Sequence, residues 1–293
     1  MNKISIHFGY WYRGETPDYR QLLNNVKAAG ADCLEVDPRM LMELPDGESA
    51  KLLQYAKDLG LDFTYCGGLP LDADMASEDE KSREKGIRLC KETLDFIRSM
   101  GGNNYAGVLY SVWPLQPKDI LKDKSDYIAR SVDSFKQVAA HAEKHDMFVS
   151  QEIVNRFEQF IINTTDEGLD FIERVGSPNN KLLLDIFHMN IEEDDIAACL
   201  RKAGNHLGHL HVGECNRKVI GTVPNSRMPW NDIFAALKDI NYTGTITLES
   251  FVLMGSSFAK NICLWRDLSN GADDAKLLSD ITAGVSFVRS KLQ

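Results

Sequence analysis

A chain of 293 residues that is 43% hydrophobic and 26% charged can build a large core, and it lacks the bias of disordered, collagenous or membrane sequences. Its formal charge of -10, with no dense run of Lys and Arg, argues against a nucleic-acid surface, and its apolar runs are too short to span a bilayer. His7 and Gly9 interrupt any apolar core that a signal peptide would need, and the six cysteines lack the spacing of a zinc ribbon or a disulfide framework, so a cytosolic location is expected.

From the N-terminus onward, short apolar segments alternate with amphipathic ones, the pattern of βα units. Strands are expected at Lys3 to Phe8, Cys33 to Val36, Asp62 to Cys66, Asn103 to Leu109, Phe148 to Ile153, Lys181 to Ile186, Gly208 to Val212 and Gly244 to Leu248. The intervening helices are Asp18 to Ala29, Ser49 to Leu59, Ser77 to Met100, Ser125 to His145, Thr165 to Val175, Asp194 to Ala203, Trp230 to Ile240 and Ala275 to Lys291. In Thr165-Asp-Glu-Gly the hydroxyl can cap free amides and the acids suit the positive end of the helix dipole, while Gly30, Gly60 and Gly101 stop their helices. Eight such units in one uninterrupted chain predict a single domain over residues 1–293, a closed (β/α)8 barrel. An open doubly wound sheet is the alternative, weakened because no GxGxxG turn follows the first strand.

A barrel gathers the carboxyl ends of its strands at one mouth, so those ends are read together. The fifth ends in Glu152, the sixth in Asp185 with His188 three residues on, the seventh in His211 with Glu214 and Arg217 following, and the eighth in Glu249. Three carboxylates and an imidazole suit a divalent cation, and the oxygen-rich balance favours Mn2+, Co2+ or Mg2+ over thiolate-bound zinc. Each residue alone has a plainer role: His211 as a satisfied core histidine, Asp185 or Glu249 as a helix cap, Glu152 as a buried acid neutralised by Arg156. Four plain roles at four successive strand ends are a poorer explanation than one shared site. His209 competes with His211 as a ligand, and His211 is preferred because it lies nearer the mouth.

At these positions the sequence becomes recognisable. The runs EIVNRFEQFIINT, LLLDIFHMNIEED, GHLHVGECNRKV, RMPW and WRDLSNGAD closely resemble the ketose 3-epimerases, which include the D-tagatose and D-allulose (psicose) enzymes, over most of residues 87–275. The resemblance implies a barrel binding one Mn2+ or Co2+ through Glu152, Asp185, His211 and Glu249. It implies sugar contacts from Glu158, His188 and Arg217, and an enzyme acting on free ketoses of the D-allulose/D-fructose or D-tagatose/D-sorbose type. It also implies a homodimer or homotetramer, with the apolar segment SFVLMGSSFAKNICLW as a candidate interface.

A ketose C3 proton is too weakly acidic to leave unaided, and a cation on the C2 and C3 oxygens would stabilise the enediolate left behind. Inversion needs a group on each face of C3, which assigns Glu152 and Glu249 as the two acid/bases. Trp11 and Trp113 are candidate platforms for a sugar face. The chain departs from the family pattern in HFGYWYRGETPD, with Arg13, Gly14 and Glu15, at Asp37 in EVDP, in YCGGLP, in the longer IGTVPNSRMPW and at Ser250. These changes put the preferred ketose in question, not the reaction.

Overall fold

A computed structural model describes residues 2–14 and 16–293. Its strands are β1 (Ile4–His7), β2 (Cys33–Val36), β3 (Asp62–Leu69), β4 (Asn104–Val112), β5 (Phe148–Ile153), β6 (Asn180–Asp185), β7 (Leu207–Val212) and β8 (Ile246–Leu248). They follow one another in chain order around a closed barrel, as the alternation predicted. The helices are α1 (Tyr19–Ala29), α2 (Pro38–Met42), α3 (Glu48–Asp58), α4 (Glu80–Ser99), α5 (Ser125–Lys144), α6 (Thr165–Val175), α7 (Ile186–Glu192), α8 (Ile196–Ala203), α9 (Trp230–Asp239), α10 (Ser257–Asn261) and α11 (Asp274–Leu292). None of them is long and apolar enough to cross a membrane.

Local chemistry accounts for these boundaries. In α1 the buried residues Leu22, Leu23, Val26 and Ala29 recur at helical spacing, each large one worth about 1.5–3 kcal/mol of burial. Asp18 caps the helix by accepting from the Gln21 amide, and Gly30 ends it in the left-handed region at φ 75°. The cap of α6 falls one residue before the expected one: the Thr164 hydroxyl, not that of Thr165, accepts from the Glu167 amide at 3.3 Å. Three short helices had no periodic signal because they are under two turns long or start directly on a strand. The first is set by Asp37 as cap and Pro38 in the first turn.

The chain packs as two units. The first comprises the residues up to Val36, Leu44–Thr64 and Leu210–Gln293. Within it β1 lies between β2 and β8, with His7 opposite Glu35 and Ile6 opposite Leu248, and β7 pairs with β8 so that His211 faces Thr247. Tyr10, at the turn after β1, is fully buried and its hydroxyl donates to the Leu277 carbonyl, tying that turn to α11.

The second unit comprises Asp37–Glu43 and Tyr65–His209. It carries the β4–β5–β6 ladder, in which Glu152 faces Leu183 and Gly107 faces Gln151. Gly107 has φ 131°, and a Cβ there would lie 1.8 Å from the Gly67 carbonyl oxygen, so only glycine allows β3 and β4 to approach. Cys66, Ala106 and Leu183 close the core beneath the strand ends.

Candidate active site

In the second unit the site is built around His188, in the first turn of α7 and 2% exposed. Two donors meet its Nδ1: the Asn155 backbone amide at 3.2 Å and the Asn155 side-chain nitrogen at 2.7 Å. An Nδ1 that accepts leaves the ring proton on Nε2, and Nε2 faces Asp185 at 3.5 Å and Glu152 at 3.7 Å. Asn155 also donates to Glu158 at 2.8 Å, while Trp113 Nε1 donates to the other Glu158 oxygen at 2.9 Å. Glu158, Trp113 and His188 thus form one linked set beside Glu152 and Asp185. Asn155 is its hub, a role for which its place beside Arg156 gave no signal.

Asp185 does two things at once. One carboxylate oxygen caps α7 by accepting from the Phe187 amide at 2.9 Å, as its plainer role would have it, while the other faces His188. Glu152 accepts from the Cys66 thiol at 3.8 Å. It is not neutralised by Arg156, whose guanidinium forms a forked pair with Glu192 at 2.7–3.1 Å. Asp37, one of the departures from the family pattern, caps α2 by accepting from the Arg39 amide, and burial raises its carboxyl above the usual range.

In the first unit the centre is Glu35, fully buried on β2. One of its oxygens accepts from the Thr64 and Thr247 hydroxyls at 3.1 and 3.0 Å, and the other lies 2.8 Å from His211 Nε2. The opposite ring nitrogen of His211 lies 3.3 Å from Glu249. A carboxylate on one side of the ring fixes its tautomer and aims the other nitrogen outward, the arrangement that supports metal-ligating histidines. Sequence reading passed over Glu35, although an acid in the otherwise apolar strand CLEV was the available signal.

Arg217 reaches the second oxygen of Glu249 at 2.5 Å and lies over the Phe251 ring at 5.2 Å. Its backbone sits in the left-handed region at φ 63°, a strained conformation for a residue with a side chain, held by a 2.9 Å bond from the Phe251 amide to the Arg217 carbonyl. Burial alone pushes the Glu249 carboxyl up, but His211 and Arg217 outweigh it and hold it well below the usual carboxylate range. Glu214 turns away to brace its loop, accepting from Ser226 at 2.5 Å and from Trp230 at 3.2 Å.

His7 is a further site residue that the sequence did not announce. It is enclosed by Phe8, Phe251 and Phe258 and accepts from the Gly9 amide at 3.0 Å. Burial lowers its pKa to about 4, against the pull of Glu249 and Glu35. Between about 6.5 and about 4 the unfolded chain therefore takes up a proton that the fold refuses, and stability present above pH 6.5 is lost as acid is added, about 3 kcal/mol in all. Urea unfolding should show a shallower loss across this window in His7→Gln than in the parent. Identical pH profiles would contradict the assignment.

Within the second unit ligand atoms of Glu152 and Asp185 lie within 4.8 Å of each other, and within the first those of His211 and Glu249 do; His209 belongs to neither group. All four are less than a tenth exposed. Two carboxylates at such a separation repel by about 3 kcal/mol or more at an effective dielectric of about 20, a cost that a divalent cation would reverse. The donor set therefore fits a hard or borderline divalent ion. Of the altered first loop, Arg13 pairs with Asp274 at 3.2 Å on the surface, and Glu15 lies outside the described residues.

Residues 23–264 match the family described as xylose isomerase-like TIM barrel. The chain is 38% identical to the D-psicose 3-epimerase of Ruminiclostridium cellulolyticum, over 99% of this chain and 98% of that one. It is 33% identical to the L-ribulose 3-epimerase of Mesorhizobium japonicum, over 92% and 88%. Among solved structures, D-psicose 3-epimerase with D-tagatose from Clostridium cellulolyticum H10 superposes with a TM-score of 0.94 over 99% of each chain, at 38% identity.

Proposed function

Because the chain belongs to the xylose isomerase-like TIM barrel family, and within it to the ketose 3-epimerases, we propose that Glu152, Asp185, His211 and Glu249 hold one divalent ion, Mn2+ or Co2+ with Mg2+ as a third candidate. The protein is an isomerase that epimerises ketoses at C3. What carries the metal reading is the burial of three carboxylates and one imidazole at the strand ends, paired within 4.8 Å in each unit. An ion bound there supplies a Lewis acid for the charge that develops on the sugar's C2 and C3 oxygens.

The residues of the chain do the rest. Glu152 stands on β5 and Glu249 directly after β8, and each takes or returns the C3 proton on its own face of the sugar. His188 presents its Nε2 proton to a sugar oxygen, and Glu158, fixed by Asn155 and Trp113, accepts from a hydroxyl. Arg217 keeps Glu249 ionised and oriented between turnovers. The substrate is a free ketose, for which the D-psicose and L-ribulose specificities of the relatives are the first to test. A panel of free ketohexoses and ketopentoses, assayed with each metal, reads the preference directly, and no C3 epimer from any of them would overturn the reading.

Glu35 has a measurable part in this account. Glu35→Gln keeps the size and the hydroxyl contacts but removes the charge behind His211, so metal affinity should fall by about 10- to 100-fold. Competitive titration against a fluorescent chelator measures it, and unchanged affinity would remove Glu35 from the site.

The reading includes a cytosolic homodimer or pair of dimers. The stretch after β8 supports assembly, because Met254 and Trp265 are 52% and 68% exposed there. Light scattering at micromolar concentration should give at least twice the mass of one chain, and a monomer would count against it.

A further inference from the structure

On the outer layer of the second unit, α4 and α5 pack side by side. His141 and His145 lie four residues apart at the end of α5, so they stand on one face of adjacent turns, with ring centroids 4.6 Å apart. Asp95 on α4 faces them, its carboxylate 2.8 Å from His141 Nε2. One ligand atom from each of the three lies within 4.8 Å of the others. The rings are half-buried and the carboxylate is exposed, so an ion can enter from solvent.

We propose that Asp95, His141 and His145 form a second metal site, selective for imidazole-preferring ions such as Cu2+, Ni2+ or Zn2+. Two observations beyond the grouping support it. The end of a long helix carries the negative pole of its dipole, which favours a cation beside its last turn. The hydrogen bond between His141 and Asp95 is also one in which a divalent ion can replace the shared proton, binding nitrogen and oxygen together. The donors are two nitrogens and one oxygen, the reverse of the oxygen-rich group at the strand ends, so the two sites sort ions by softness.

A competitor already sits there. The Arg98 guanidinium lies 3.2 Å from His145 Nδ1, and since it can only donate, it holds that nitrogen as an acceptor. An incoming ion has to displace this positive charge. Arg98 therefore weakens the site and its removal strengthens it, which a purely structural role for the cluster does not predict.

The test is Cu2+ titration of the untagged chain in excess Mg2+, which is silent in electron paramagnetic resonance. The parent should show a Cu2+ signal split by two imidazole nitrogens. His141→Gln and His145→Gln should each lower Cu2+ affinity by on the order of tenfold or more, and Arg98→Gln should raise it several-fold. Ketose epimerisation with Mn2+ should be unchanged in all three. A His141→Gln/His145→Gln double variant that binds Cu2+ with the parent's stoichiometry and affinity would overturn the proposal. So would an Arg98→Gln variant that binds no more tightly than the parent, a result that holds even if the double variant fails to fold.

Discussion

Treatment with a chelator should reduce ketose epimerisation to background, and Mn2+ or Co2+ should restore it, with one ion bound per chain by elemental analysis. The expectation rests on charge. Glu152 and Asp185 are buried within 4.8 Å of each other, as are Glu249 and His211, and the Arg217 guanidinium lies 2.5 Å from Glu249. Without a divalent ion the site has neither its charge balance nor a means of stabilising negative charge on the sugar oxygens. Because the ligands bind as deprotonated groups, activity should also fall in acid, with Glu249 among the last to protonate. Full activity in rigorously metal-free protein would refute the metal assignment.

Glu152→Gln and Glu249→Gln should each lower epimerisation by about two or more orders of magnitude, the usual worth of a positioned acid/base. The substitution keeps size while removing the proton carrier. Since both residues are also proposed ligands, metal content has to be measured in each variant, and only metal-loaded protein answers the question. The two variants should differ in kind. If one base remains on one face of C3, one epimer should still exchange its C3 hydrogen with solvent without inverting, and the face that exchanges should switch between variants. A metal-loaded variant that epimerises at the parent rate would remove that glutamate from the proton path.

The barrel was legible because apolar strands and amphipathic helices have different periods, and eight alternations leave few ways to close a sheet. Strand ends were less so. β3 and β4 run on to Leu69 and Val112, past the expected Cys66 and Leu109, because the β3–β4 ladder continues through Gly67 and Gly68 to Leu69, where propensity predicts a break. The four carboxylate and imidazole positions could be found because each stands at the carboxyl end of a strand or just beyond it. Their supports could not. Glu35 and His7 lie inside strands read as core, and Asn155 acts through both its backbone amide and its side chain, which no residue type reveals. Long-range pairing decided the fate of Arg156: Glu192, thirty-six residues away, takes the guanidinium that adjacency had offered to Glu152.

The most direct test of C3 epimerisation is to follow a ketose substrate in deuterated water by NMR. D-Fructose or L-ribulose, whichever the panel selects, should yield its C3 epimer with deuterium at C3 and none at C1, since proton removal and return take place at C3 alone. Deuterium at C1 with an aldose product would instead mark aldose–ketose isomerisation, and an epimer formed with no solvent deuterium at C3 in metal-loaded protein would contradict proton exchange by two glutamates.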